Sequence, residues 1–194
     1  MVALAFCGVA WAQDAEKLAP YYPTPLTIVE KMLDLGGLKA GEKMFDLGSG
    51  DGRIVIMAAQ KYRADATGVE MVDDLYRQSM QKIRTLGLDK NARIIRGDIF
   101  KQDYSSANLL TIYLLPVSND KVRPLLEKQL KKGTRVVSHD FPFRDWTPEK
   151  EVTIEDPGTF TKPWKMRDVW DLAPGEEVKE YICNENEKDV PHLK

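Results

Sequence analysis

Cysteine is scarce: the 194-residue chain holds two, Cys7 and Cys183. Loss of the first with a cleaved leader would leave one, which excludes an internal disulfide framework. Histidine is equally scarce. His139 and His192 have no companion at metal-ligand spacing, so no metal is expected. Charge of one sign is lacking too, since 28 basic residues face 30 acidic ones for a net of −2. That balance gives no field to hold a polyanion, and no nucleic acid partner is expected. There is no internal repeat, no low-complexity tract and no G-K-[ST] phosphate loop. The N-terminal apolar run stops at Ala12, too short to cross a bilayer by itself.

That run is informative all the same. In "MVALAFCGVAWAQ", Ala10-Trp11-Ala12 has the small-x-small pattern of a signal-peptidase site, with the cut before Gln13. No Lys or Arg precedes it, and bulky Phe6 stands where a lipid-attachment site at Cys7 needs a small residue. Residues 1–12 therefore read as a signal peptide or a truncated apolar leader. A cleaved signal implies an exported or periplasmic protein; otherwise the chain is cytoplasmic, or membrane-associated through this segment. Residues 13–40 read as an N-terminal helical segment, 41–175 as one domain, and 176–194 as a polar tail.

Strand-like and helix-like segments alternate through most of the chain. "LTIVEKMLDLGGL" (26–38) has helical period, with Leu26, Val29, Met32 and Leu33 on one face. Strands are expected at 42–47, 64–71, 92–98, 108–115 and 134–140, and helices at 53–62, 73–87 and 119–133. Pro124 fits the last helix only near its first turn. Two closing strands, at 151–156 and 166–172, have no convincing helix between them. The fold class expected is α/β: a Rossmann-like, doubly wound, mostly parallel seven-stranded sheet with an antiparallel closing strand.

"MFDLGSGDGR" (44–53) carries the chemistry. A short apolar strand ends in Asp46, three glycines follow at alternate positions, and a helix begins. In such sheets ligands bind beyond the carboxyl ends of the strands, and glycine lets a ligand lie against the backbone. The spacing is not the G-x-G-x-x-G of a dinucleotide site. Asp46 opposes a pyrophosphate and suits a cationic amine, a description that S-adenosyl-L-methionine meets. Glu70, 22 positions after Gly48, ends the second strand and is placed to accept both ribose hydroxyls. Asp98 ends the third and faces the adenine amino group, with Ile99 packing on the ring. Blander readings stand beside these: Asp51 as a helix cap, Asp98 as a turn residue, Glu70 as a solvated strand end.

With Asp46, Gly48, Ser49, Gly50, Glu70, Asp98 and Ile99 in place, the chain resembles class I (seven-β-strand) S-adenosylmethionine-dependent methyltransferases. "FDLGSGDGR" matches their first motif and "GVE" their ribose-binding acid. The likeness is closer to the mitochondrial protein-lysine methyltransferases acting on the c-ring protein of ATP synthase and the adenine nucleotide translocator, and to their bacterial relatives. "PYYPTP" (20–25), "DLGSGDGRIVI" (46–56), "RVVSHDFPFRDWTP" (135–148) and "DVW" (168–170) carry it, over about residues 20 to 172. His139-Asp140 departs from that pattern. The resemblance implies methyl transfer to a protein lysine amine, with a small-molecule N/O-methyltransferase or a non-catalytic adenosyl-ligand-binding protein as alternatives. An exported enzyme would lack a supply of donor, which motivates the last.

At the acceptor side the expected catalytic residues are Asp140 as a polar guide, Tyr113 and Tyr21. Tyr22, Phe141, Phe143 and Trp146 are candidates for an aromatic lining that favours a neutral amine. By strand alternation, His139 and Asp140 should point to opposite faces, so one of them at most should face the site. "LLP" (114–116) replaces the Asn/Asp-Pro-Pro-Tyr signature of enzymes that methylate nucleobase amino groups. The methyl acceptor is thus expected to be a protein or a small molecule.

Overall fold

A computed structural model describes residues 21–148, 151–154 and 164–167. The leader with Cys7 and Gln13, the "DVW" stretch, Trp170, Cys183, His192 and the tail from 176 lie outside the described residues. The elements are α1 (Leu26–Leu35), β1 (Lys43–Leu47), α2 (Arg53–Lys61), β2 (Asp65–Glu70), α3 (Asp73–Thr85) and β3 (Ala92–Arg96). They continue with a 3-10 turn (Ile99–Lys101), β4 (Leu109–Ile112), α4 (Pro116–Gln129), β5 (Arg135–Ser138), β6 (Glu151–Ile154) and β7 (Trp164–Arg167).

Five strands form one parallel sheet in the order β3-β2-β1-β4-β5. All four residues of β4 are buried, and so are five of the six in β2, as expected of strands covered on both faces. Met44, Leu47, Val55, Ala58, Leu109, Leu110 and Val136 are fully or almost fully enclosed in the core between sheet and helices. The order reverses beside β1: the chain steps one way to β2 and β3, then crosses back to β4. Carboxyl ends of β1 and β4 therefore part above the sheet and leave a crevice there.

The described residues show five strands in the parallel sheet rather than the expected seven, and β6 and β7 pair antiparallel with each other in a two-stranded sheet. Helix α4 starts at Pro116, earlier than its charge pattern suggested, because a proline at the first helical position forfeits no hydrogen bond. Pro124 consequently lies well inside the helix rather than in its first turn. Leu26 is exposed, and α1 buries Ile28, Val29, Met32 and Leu33 instead. No helix among the described residues is long and apolar enough to cross a membrane.

Candidate functional site

The crevice is a cavity of about 710 Å³. The glycine loop makes its floor. Gly50 has φ +52°, and a Cβ there would stand 2.9 Å from Cε2 of Tyr21; at Gly52, with φ +78°, it would stand 2.8 Å from Cβ of Ser79. Both glycines are needed by the protein's own packing, and Gly50 also lines the cavity. Glu70 ties the loop down. Its Oε2 accepts from the Gly50 amide at 2.7 Å and its Oε1 from the Val72 amide at 2.7 Å, which leaves further lone pairs on the same carboxylate.

Asp46 is buried at the end of β1. The β1–β4 register sets it beside Thr111, whose hydroxyl donates to Oδ1 at 2.8 Å. Burial pushes its carboxyl up to about 7; the Thr111 bond pulls the other way, and the charges of Glu70 and Asp51 add to the rise. Asp51 behaves differently. Burial would raise it, but hydrogen bonds from Arg53 and Lys82 hold it at about 2. Its Oδ1 accepts from Arg53 Nε at 2.9 Å, and its Oδ2 from Arg53 Nη2 at 3.1 Å and Lys82 Nζ at 2.7 Å. The residue at the N-cap of α2 is Gly52, but Asp51 Oδ1 also accepts from the Arg53 amide at 3.3 Å, so Asp51 is an ion-pair hub that also meets the first turn of the helix.

Of the residues expected to hold a donor, Asp46, Gly48, Ser49, Gly50, Glu70 and Ile99 line the cavity. Asp98 does not. β3 stops at Arg96, and Asp98 caps the 3-10 turn by accepting from the Phe100 amide at 2.9 Å, next to the lining residues Gly97 and Ile99. The Ser49 hydroxyl is buried without a hydrogen-bond partner among the described residues. Among the described residues the cavity has an unmet hydroxyl, the three carboxylates of Asp46, Asp51 and Glu70, and no basic side chain but Arg53, a lining that suits a cationic, phosphate-free nucleoside. The residues thus fit S-adenosyl-L-methionine.

Tyr21, Tyr22, Tyr113 and Phe141 line the same cavity, with the Tyr113 and Phe141 rings stacked at 6.3 Å. Phe143 and Trp146 do not line it. They stack on each other at 4.3 Å in the core, and Trp146 Nε1 donates to Glu127 at 2.9 Å. Strand β5 ends at Ser138, before His139 and Asp140, so strand alternation does not apply to them and both are buried. Asp140 turns with φ +62°, is 3% exposed and is not part of the lining. Burial takes His139 down to about 3, which keeps the ring neutral. It packs against Tyr113 at 4.1 Å, and its Nδ1 lies 3.3 Å from the Thr24 hydroxyl.

Three contributors escaped the sequence reading: Thr24, Arg53 and Thr111. Only the alignment of β1 with β4 marks Thr111, and only the fold-back of the segment before α1 marks the other two.

Comparison with known proteins agrees with the cavity. The model of the ANTKMT methyltransferase domain matches residues 46–150. The protein-lysine N-methyltransferase of Saccharolobus islandicus (strain REY15A) is 41% identical over 138 residues, 71% of this chain and 86% of that protein. The adenine nucleotide translocase lysine N-methyltransferase of Mus musculus is 33% identical over 140 residues, covering 72% of this chain but 59% of the mouse protein. Among solved structures, an RNA methyltransferase from Salinibacter ruber in complex with S-adenosyl-L-homocysteine superposes with a TM-score of 0.70 at 37% identity, over 80% of this chain and 99% of that one. The chain therefore belongs to the ANTKMT methyltransferase domain family and is an S-adenosylmethionine-dependent methyltransferase.

Proposed function

We propose that the enzyme methylates the side-chain amine of a protein lysine presented to the aromatic part of the cavity. One observation carries this reading: Tyr21, Tyr22, Tyr113 and Phe141 share a single cavity with the carboxylates of Asp46 and Glu70. The relatives named as lysine methyltransferases support it. In this reading Asp46 accepts the methionine ammonium, the Gly48-Ser49-Gly50 backbone lies along the methionine part, and Glu70 takes the ribose hydroxyls. Ile99 packs on adenine, with Asp98 at its amino group.

Bound donor supplies an electrophilic methyl carbon on a sulfonium, open to in-line displacement by an amine. The chain's residues do the rest by placement. Aromatic walls exclude water and lower the cost of a neutral amine relative to an ammonium. Tyr21 and Tyr113 flank the acceptor. Asp140 is enclosed, with Oδ2 4.0 Å from His139 Nε2, and supports the His139–Tyr113 pair from behind rather than meeting the acceptor. The β6–β7 pair is read here as the closing strands that extend the sheet beyond β5.

The Salinibacter relative named as an RNA methyltransferase favours a second reading, with RNA as acceptor. The near-zero net charge speaks against it. Incubating the protein with methyl-labelled donor and a lysate of its source cells separates the two. Label on a lysine in a protease-sensitive fraction is the expected result; label in RNA or in a small molecule overturns the proposal. Glu70→Ala should abolish both labelling and calorimetric binding of S-adenosylhomocysteine.

A further inference from the structure

Arg53 uses its whole guanidinium. Two nitrogens hold both Asp51 oxygens, at 2.9 and 3.1 Å, and the third, Nη1, donates to the Thr24 carbonyl at 2.8 Å. Thr24 is 4% exposed, and its hydroxyl faces His139 on the other flank at 3.3 Å. The Tyr21–Thr24 segment is therefore anchored at Thr24 from two flanks. Ahead of that anchor it meets the glycine loop, with the Tyr21 ring against Gly50, whose amide is bonded to Glu70. All four residues of the segment line the cavity. Tyr21, 49% exposed, stands at its mouth.

We propose that Arg53 is a positioning residue that holds the Tyr21–Thr24 segment closed over the bound donor and so sets how fast donor and product leave. The proposal rests on the donor site assigned above. Arginine is needed because its planar fork clamps a carboxylate with one edge and still aims an N–H elsewhere. A lysine would meet Asp51, which Lys82 already does at 2.7 Å, and leave the Thr24 carbonyl unclaimed.

The test follows release of labelled S-adenosylhomocysteine from the full chain into excess unlabelled ligand. Arg53→Gln should raise the dissociation rate ~10-fold, the effect of losing one charge-assisted hydrogen bond, while the association rate changes far less. Arg53→Lys should fall between that variant and the wild type. If Arg53 acts through the segment, combining Arg53→Gln with Tyr21→Ala should give much less than the product of the two single effects. An unchanged rate in Arg53→Gln, or full multiplication in the double variant, overturns the proposal; full multiplication would mean that Arg53 merely supports Asp51 and the loop. Should Arg53→Gln lose the folded circular dichroism spectrum, Arg53→Lys replaces it as the probe. It keeps a charge for Asp51 and withdraws only the donor to the Thr24 carbonyl, so it should speed release about 3-fold; equal rates for Arg53→Lys and wild type overturn the idea. A wild-type protein that does not bind S-adenosylhomocysteine removes the donor assignment itself, and the Arg53 role with it.

Discussion

Asp46 sits where a carboxylate is least comfortable, buried, near Glu70 and Asp51, with one hydroxyl to meet it. Its folded value of about 7 lies above the ordinary 3.8. Stability associated with its protonated form is thus complete below about 3.8 and is lost as pH rises through about 7. Asp46→Asn should therefore unfold at a higher temperature than wild type at pH 8, with the gap closing towards pH 4. The same substitution should weaken S-adenosylmethionine binding, since the proposed partner of the ligand's ammonium loses its charge. Calorimetry in buffers of different ionisation enthalpy should show a proton released on binding near pH 6, and none in Asp46→Asn. Asp51 has the opposite sign. Its stabilising contribution is present above about 3.8 and fades as pH falls through about 2.

Between β1 and α2 the backbone turns through three positive-φ glycines, and the element pair depends on that turn. Gly52→Ala meets both a φ of +78° and the Ser79 Cβ, so it should cost about 1–3 kcal/mol in urea unfolding. Adding Ser79→Gly should recover part of the loss by clearing the contact, and the remainder reports the backbone strain. Elements of this half were legible in the sequence. β1, α2, β2 and α3 fall within about two residues of their expected bounds because apolar runs there are punctuated by Gly or by charge. β4 and β5 were read too long, since "YLL" and "HD" continue an apolar or buried run past the last ladder bond. Burial in sequence does not distinguish a strand from a loop that lines a cavity. The same limit hid part of the site: Asp46, Gly50 and Glu70 announce themselves by spacing, whereas Thr111 and Thr24 become partners only when strand register and chain fold-back bring them close.

On the scale of the molecule, the donor cavity is a seam between halves of the sheet, walled by β1–β2 loops on one side and by residues after β4 and β5 on the other. A ligand that spans it should brace the fold as a unit. With S-adenosylhomocysteine at 100 times its dissociation constant, stability should rise by about 2.7 kcal/mol. Thermal unfolding with increasing ligand checks this, and Glu70→Ala should show no rise. The segment that roofs this seam is also the stretch through which upstream chain reaches the domain. A group fused directly ahead of Tyr21 would be tied at the cavity mouth, the doorway proposed for the acceptor, where that half-exposed residue stands. A bulky N-terminal fusion would obstruct that doorway, while a fused acceptor peptide would crowd it at high local concentration and turn over as a captive substrate.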